Sequence, residues 1–169
     1  RGLTVLTGAA AVGLDWSGAG VRVETTRGTL RARAAIVTLP VGVLKAGALA
    51  FRPGLPVATL RALAGLAMGV LSKVALAFDG DRLGLSGPTD VIFRRGDALI
   101  DFDCWAFGRP LAGAYVGGDA ARALARLGPQ GAIASTLDAF VAAVGGEARR
   151  HFVGGRFYGW ADDPLARGS

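Results

Sequence analysis

The sequence predicts an α+β fold: a mixed β-sheet flanked by helices, preceded by a β-meander. Three observations carry this. Residues 21–25 read VRVET, a strict alternation of apolar and polar side chains, and sit among short apolar runs separated by Ser-Gly-Ala-Gly and Arg-Gly turns. Residues 69–80 read GVLSKVALAFDG, an apolar run rich in Val, Leu and Phe that ends in an Asp-Gly turn, as a buried strand does. Residues 129–144 then place Ile133, Leu137, Phe140, Val141 and Val144 on one helical stripe.

The elements follow in order. Residues 3–7 (LTVLT) and 11–16 read as short strands, and residues 17–20 as a turn. Residues 21–25 and 29–33 pair across Arg27-Gly28. Residues 35–39 (AIVTL) form an apolar strand that stops at Pro40. Residues 41–46 make one helical turn, and residues 51–54 (FRPG) are loop. Pro56 starts a helix, as proline does in a first turn. Leu60, Leu63, Ala64 and Ala67 mark its face, and Gly69 ends it. After the 69–80 strand and a Gly-rich loop, residues 90–93 and 99–105 pair across Arg94-Arg95-Gly96-Asp97. Residues 112–116 form a strand. Asp119 caps a helix reaching Leu127. The 129–144 helix closes at Gly145-Gly146. Residues 151–160 are strand-like but broken by glycines.

With 169 residues, 51% of them hydrophobic, the chain can bury a real core. No run reaches the length of a membrane span. The single Cys104 excludes an internal disulfide framework, and the single His151 leaves no histidine cluster for a metal. The net charge of +6 comes from scattered arginines, since Lys45 and Lys73 are the only lysines. No basic stripe interleaved with aromatics appears, so nucleic acid is not the expected partner. Gly18-Ala19-Gly20 lacks the third glycine and the strand-to-helix setting of a dinucleotide-binding loop. The chain opens directly into a strand-like run without an initiator Met and closes without a capping element. It therefore reads as a segment of a longer protein, and its compartment stays at the cytoplasmic default.

Two features hold candidate chemistry. Lys73 stands in the middle of the 69–80 strand, sharing a face with Leu71, Ala75 and Ala77, while Ser72, Val74, Leu76 and Phe78 take the other. A buried ammonium is costly unless paired. Lys73 is therefore an edge-strand gatekeeper, a lysine whose stem snorkels to water, or a functional group. The small Ala75 and Ala77 leave room beside it. Asp101 and Asp103 share one strand face, either as an acid–base pair or as a solvated surface.

Five local sequences, in order, carry a resemblance. They are Asp15-Trp16-Ser17 with Gly20-Val21-Arg22-Val23, then residues 35–45 (AIVTLPVGVLK), then Phe51-x-Pro53-x-Leu55-Pro56. Residues 69–74 (GVLSKV) leading into Phe78 follow, and Trp160-x-Asp162-Asp163-Pro164-x-x-Arg167-Gly168-Ser169 closes the set. Together they resemble the flavin-dependent amine oxidase family, which includes monoamine, polyamine and histone-demethylase-type oxidases.

The resemblance implies a substrate-binding domain over residues 41–160, with residues 1–40 and 161–169 belonging to the FAD-binding domain. It implies hydride transfer from an amine to flavin N5, giving an imine, with O2 returning the flavin and forming H2O2. Lys73 matches the family lysine that faces N5 through a water. Ala11 would meet the adenine end of FAD through its backbone. Thr38 and Pro40 would lie at the crossover near the cofactor, and Trp160 beside the flavin. Phe102 and Trp105 would stand at the pocket wall. Cys104 does not match a position of covalent flavin attachment. The family's glycine-rich FAD loop is absent from these residues, so the segment alone is not expected to retain FAD or activity. A non-catalytic binding module, or a desaturase or protoporphyrinogen-oxidase-like flavoprotein, is the alternative.

Overall fold

The computed structural model describes residues 2–85 and 87–169. The chain divides into two compact units. One runs to Met68 and includes Pro164–Arg167; the other comprises Gly69–Asp163 with Gly168–Ser169.

The first unit is built on a four-stranded sheet of order β3-β2-β1-β4. Strands β1 (Ala11–Asp15), β2 (Val21–Thr25) and β3 (Gly28–Ala32) form the antiparallel meander expected. The β1–β2 turn is held by Asp15, which accepts from the Ser17 amide at 3.0 Å and from its hydroxyl at 2.7 Å. These donors, the backbone amide first, and the Arg22 guanidinium hold the Asp15 carboxyl below its usual range. Gly20 is required here. Its φ is +87°, and a Cβ would stand 2.7 Å from the Ala32 carbonyl oxygen.

Three expectations are corrected in this unit. Residues 51–54 were expected as loop, yet Ala50–Arg52 forms β4, parallel to β1. Its Phe51 ring lies 5.7 Å from that of Trp16. Residues 3–7 and 35–39 were expected as strands, yet neither joins a ladder among the described residues. Leu3 is 92% exposed and Ile36 91%. Apolar composition favours burial, but a strand also needs a neighbour to take its hydrogen bonds. Helix α1 (Val41–Lys45) follows Pro40, as expected. Helix α2 (Val57–Gly65) follows Pro56 but ends before Leu66, short of Gly69, and buries none of its residues.

The second unit is a five-stranded antiparallel sheet of order β6-β7-β8-β5-β9. Its strands are β5 (Leu71–Phe78), β6 (Thr89–Arg95), β7 (Ala98–Cys104), β8 (Leu111–Gly117) and β9 (Phe152–Gly159). The β6–β7 hairpin turns at Gly96-Asp97, as the sequence indicated. Helices α3 (Gly118–Arg126), α4 (Gly128–Val144) and the short α5 (Glu147–His151) lie between β8 and β9 in the chain. Gly117, rather than Asp119, occupies the N-cap of α3; Asp119 instead faces Arg122 one turn on, at 3.7 Å.

Helices α3 and α4 cover one face of this sheet. Val74, Leu76 and Phe78 of β5 join Ile100, Phe102, Ala112, Ala114 and Val116 in one core with Leu124, Leu137 and Phe140 of the helices. Phe140 is the hub: its ring lies 5.0 Å from Phe102 and 5.3 Å from Phe78. The glycines that break β9 have a packing reason. A Cβ on Gly155 would meet Ile133 Cγ2 of α4 at 2.8 Å and the Ala75 carbonyl oxygen at 3.0 Å.

Candidate functional site

Strand β5 follows the two-residue period the sequence predicts: Ser72, Val74, Leu76 and Phe78 are buried, and the residues between them only partly so. The register then decides what Lys73 faces. Tyr115 of β8 is directly opposite on one side and Tyr158 of β9 on the other. Tyr115 in turn pairs with Asp101 of β7. One rung across the sheet therefore reads Ile92–Asp101–Tyr115–Lys73–Tyr158. The neighbouring rung on the same face reads Asp90–Asp103–Gly113–Ala75–Arg156.

This geometry removes the gatekeeper explanation for Lys73. A gatekeeping charge guards an unpaired strand edge, whereas β5 is hydrogen-bonded along both sides. Lys73 Nζ lies 4.6 Å from the centre of the Tyr115 ring, within cation–π range. Arg156 sits similarly over Tyr158, at 5.2 Å. Among the described residues, no ion pair involves Lys73, Arg156, Asp90, Asp101 or Asp103. The open face is thus polarised. Asp90, Asp101 and Asp103 lie on β6 and β7, Lys73 and Arg156 on β5 and β9, with Tyr115 between them, and Arg94 of β6 shares the face by parity.

A groove of ≈ 590 Å³ runs over the acidic half of this face. Ala75, Gly113, Tyr115 and Asp103 line it from the sheet, and Phe107 and Arg109 from the following loop. The small Ala75 and Gly113 create the space, as Ala75 hinted in the sequence. The loop is conformationally unusual: Trp105 and Phe107 hold φ of +59° and +58°, and Phe107 is 96% exposed. Non-glycine residues rarely adopt such values.

The remaining expected site residues distribute as follows. Trp160 lies two residues beyond Tyr158, just past the end of β9, and is 38% exposed. Its carbonyl accepts from the Gly168 amide at 3.1 Å. Ala11, Thr38 and Pro40 belong to the first unit. Ala11 opens β1 with its side chain exposed, Thr38 lies in the run without a ladder, and Pro40 is the N-cap of α1. Phe102 and Trp105 are placed away from the Lys73 face. Phe102 belongs to the rung Val91–Phe102–Ala114–Val74–Phe157, on the helix side, and is fully buried. Trp105 is 3% exposed and stacks on Phe78 at 5.6 Å. Both are core residues, because the two-residue period puts Phe102 on the face opposite Asp101 and Asp103.

Sequence reasoning missed Tyr115 and Tyr158 as the neighbours of Lys73. Their signal was their strand parity, which becomes informative only once the register between distant strands is known. Burial, and then the charges of Asp103, Asp90 and Asp101, raise the Cys104 thiol to about 11, which keeps it protonated and unreactive near neutral pH. Among the described residues no group of three or more His, Cys, Asp or Glu side chains is arranged to hold a metal, and no helix is long and apolar enough to cross a membrane.

Comparison with known proteins agrees with this architecture. Residues 1–169 match the family of flavin containing amine oxidoreductases. The chain belongs to that family. It is similar to polyamine oxidase 4 of Oryza sativa subsp. japonica, at 43% identity over 77 residues, covering 41% of this chain and 16% of that protein. It is also similar to lysine-specific histone demethylase 1 homolog 1 of Arabidopsis thaliana, at 30% identity over 141 residues, covering 80% of this chain and 17% of that one. Among solved structures, cyclohexylamine oxidase from Brevibacterium oxydans IH-35A superposes with a TM-score of 0.71 at 23% identity. A putrescine oxidase bound to putrescine superposes with a TM-score of 0.72 at 18% identity. Each superposition covers 95% of this chain and 36% of the other, and at these identities the likeness is one of fold.

Proposed function

We propose that this chain supplies the substrate-binding sheet and the flavin-facing lysine of an FAD-dependent amine oxidase. The observation that carries the proposal is the position of Lys73: central on a doubly paired strand, on the sheet face opposite α3 and α4, between two tyrosines and without a carboxylate partner among the described residues. An ammonium so placed fits an electron-rich planar ring or a water held beside one. The indole of Trp160, partly exposed just beyond the neighbouring strand, fits the edge of the same ring. FAD, when bound, accepts the hydride from the carbon next to the amine nitrogen. The chain's own residues do the rest. Lys73 donates hydrogen bonds to a water and holds positive charge where negative charge develops, a stabilisation that is strong because the group is fixed in advance. Tyr115 packs against the ammonium and fixes its direction.

On this reading Ala11, Thr38 and Pro40 contact the cofactor, and the amine-binding domain runs over residues 41–160, of which residues 41–68 fall in the first compact unit. The groove beside Tyr115 takes the body of the substrate. Asp103 lines it opposite in charge to Arg109, and Asp90 and Asp101 stand on the same face, so the Asp103 carboxylate is the group offered to a second cationic nitrogen. The polyamine and putrescine oxidases among its relatives support a substrate of that kind. Peroxide release during amine turnover by an FAD-loaded parent protein that carries this segment, the FAD-loaded protein of the tests below, is the first test. Lys73→Met should lower it at least tenfold, because the variant keeps the volume but loses the charge and all three donors. Unchanged peroxide release would remove Lys73 from the reaction.

A further inference from the structure

The helix-covered face of the sheet holds a second cavity, which the oxidase chemistry does not use. It has a volume of ≈ 330 Å³ and lies between α3, α4 and the end of the β6–β7 hairpin. Its walls are almost entirely carbon. Ile100 and Val116 come from the sheet, Leu124 from α3 and Leu127 from its junction with α4, while Ala120 and Ala123 are small enough to leave the space open. Leu127 is 54% exposed at this site.

Three polar residues, Arg95, Thr136 and Ser135, break the apolar lining. The first is Arg95, which lines the cavity from the last residue of β6. Strand parity places it on the helix side with Val91 and Phe93. It is exposed and has no carboxylate partner among the described residues. The second is Thr136 of α4, in the wall and only 1% exposed, whose hydroxyl has no hydrogen-bond partner among the described residues. A buried hydroxyl without a partner is costly, and groups of this kind often mark a missing ligand or water.

We propose that this cavity binds a small monocarboxylate with a single apolar ring or short chain. A dry cavity of about 150 Å³ accepts benzene, so roughly twice that volume accommodates a ring with a side chain. The planar guanidinium of Arg95 matches a carboxylate with two parallel hydrogen bonds. With the carboxylate on Arg95, the ring covers Leu127 and rests against Leu124 and Ile100. The site stands on the opposite sheet face from Lys73, so it does not depend on the oxidase reading.

The test uses the full chain, titrated with phenylacetate and separately with phenylacetamide, and followed by amide chemical shifts. Phenylacetate should give saturable shifts at Ala98, Ile100, Ala123 and Leu124, and should bind about tenfold more tightly than the neutral amide, the value of one charge-assisted pairing. Arg95→Gln should abolish that preference while leaving the amide's weaker binding in place. Ala123→Leu, at an exposed helical position that tolerates leucine, should fill the cavity and remove both. Absence of saturable shifts at these residues would overturn the proposal. Equal affinity for the two probes, or a preference that survives Arg95→Gln, would overturn the carboxylate assignment.

Discussion

The two faces of the five-stranded sheet are made by the same strands and are chemically opposite. The helix-side rung Val91–Phe102–Ala114–Val74–Phe157 is apolar throughout and lies under α4. One residue along, the rung Ile92–Asp101–Tyr115–Lys73–Tyr158 is polar apart from the exposed Ile92 on the edge strand, and is uncovered by helices. Stability resides in the first face and candidate chemistry in the second. A strand with both sides hydrogen-bonded holds its side chains in fixed directions, so a rigid core on one face positions reactive groups on the other.

The largest effect expected of a single change is on the covered face. Phe140 touches both Phe78 and Phe102, so Phe140→Ala should cost about 3–5 kcal/mol in chemical denaturation. A loss below about 1 kcal/mol would mean that α4 does not hold this face. Gly155 probes the same contact from the strand. Gly155→Val should lower stability by about 1–3 kcal/mol through overpacking against Ile133 and the Ala75 carbonyl; an unchanged melting temperature would count against the close approach of α4 to β9.

Changes on the open face should leave folding almost untouched. In the FAD-loaded protein, Asp103→Asn should raise KM for a diamine about tenfold with kcat nearly constant, and leave a neutral-tailed monoamine unaffected, because a charge pair worth about 1.4 kcal/mol is lost. An equal rise for both substrates would place Asp103 outside the groove's recognition role. The smallest effect concerns Thr136. Thr136→Val removes an orphan hydroxyl at nearly constant shape, and should be neutral or stabilise by up to about 1 kcal/mol. Destabilisation by more than that would show that the hydroxyl is satisfied in solution.

Much of this contrast could be read in the sequence, because it is local. The two-residue period of β5 and the apolar stripe of α4 are written in neighbouring residues, and Leu137 and Phe140 are buried as that stripe requires. What could not be read depends on distant pairing. Residues 35–39 have a strand's composition and no ladder among the described residues, while residues 51–54 (FRPG) read as loop yet begin inside β4, which pairs with β1. Lys73 was correctly placed opposite Ser72 and Val74 in facing, yet its identity as an interior rather than an edge lysine depended on β8 and β9. Those strands lie some forty and eighty residues further along, as the Lys73–Tyr115 and Lys73–Tyr158 pairings show. Phe102 looked like a pocket aromatic for the same reason: its type was visible and its face was not.

The central claim is that the lysine on the uncovered face acts on the flavin. Stopped-flow measurement of the two half-reactions in the FAD-loaded protein tests it most directly, with wild type and Lys73→Met compared at one pH. Oxidation of the reduced protein by O2 should slow by about tenfold or more, since the positive charge that stabilises the developing anion is gone. Reduction by the amine should change far less. Equal oxidative rates in the two proteins would contradict the claim and return Lys73 to a structural residue packed against Tyr115.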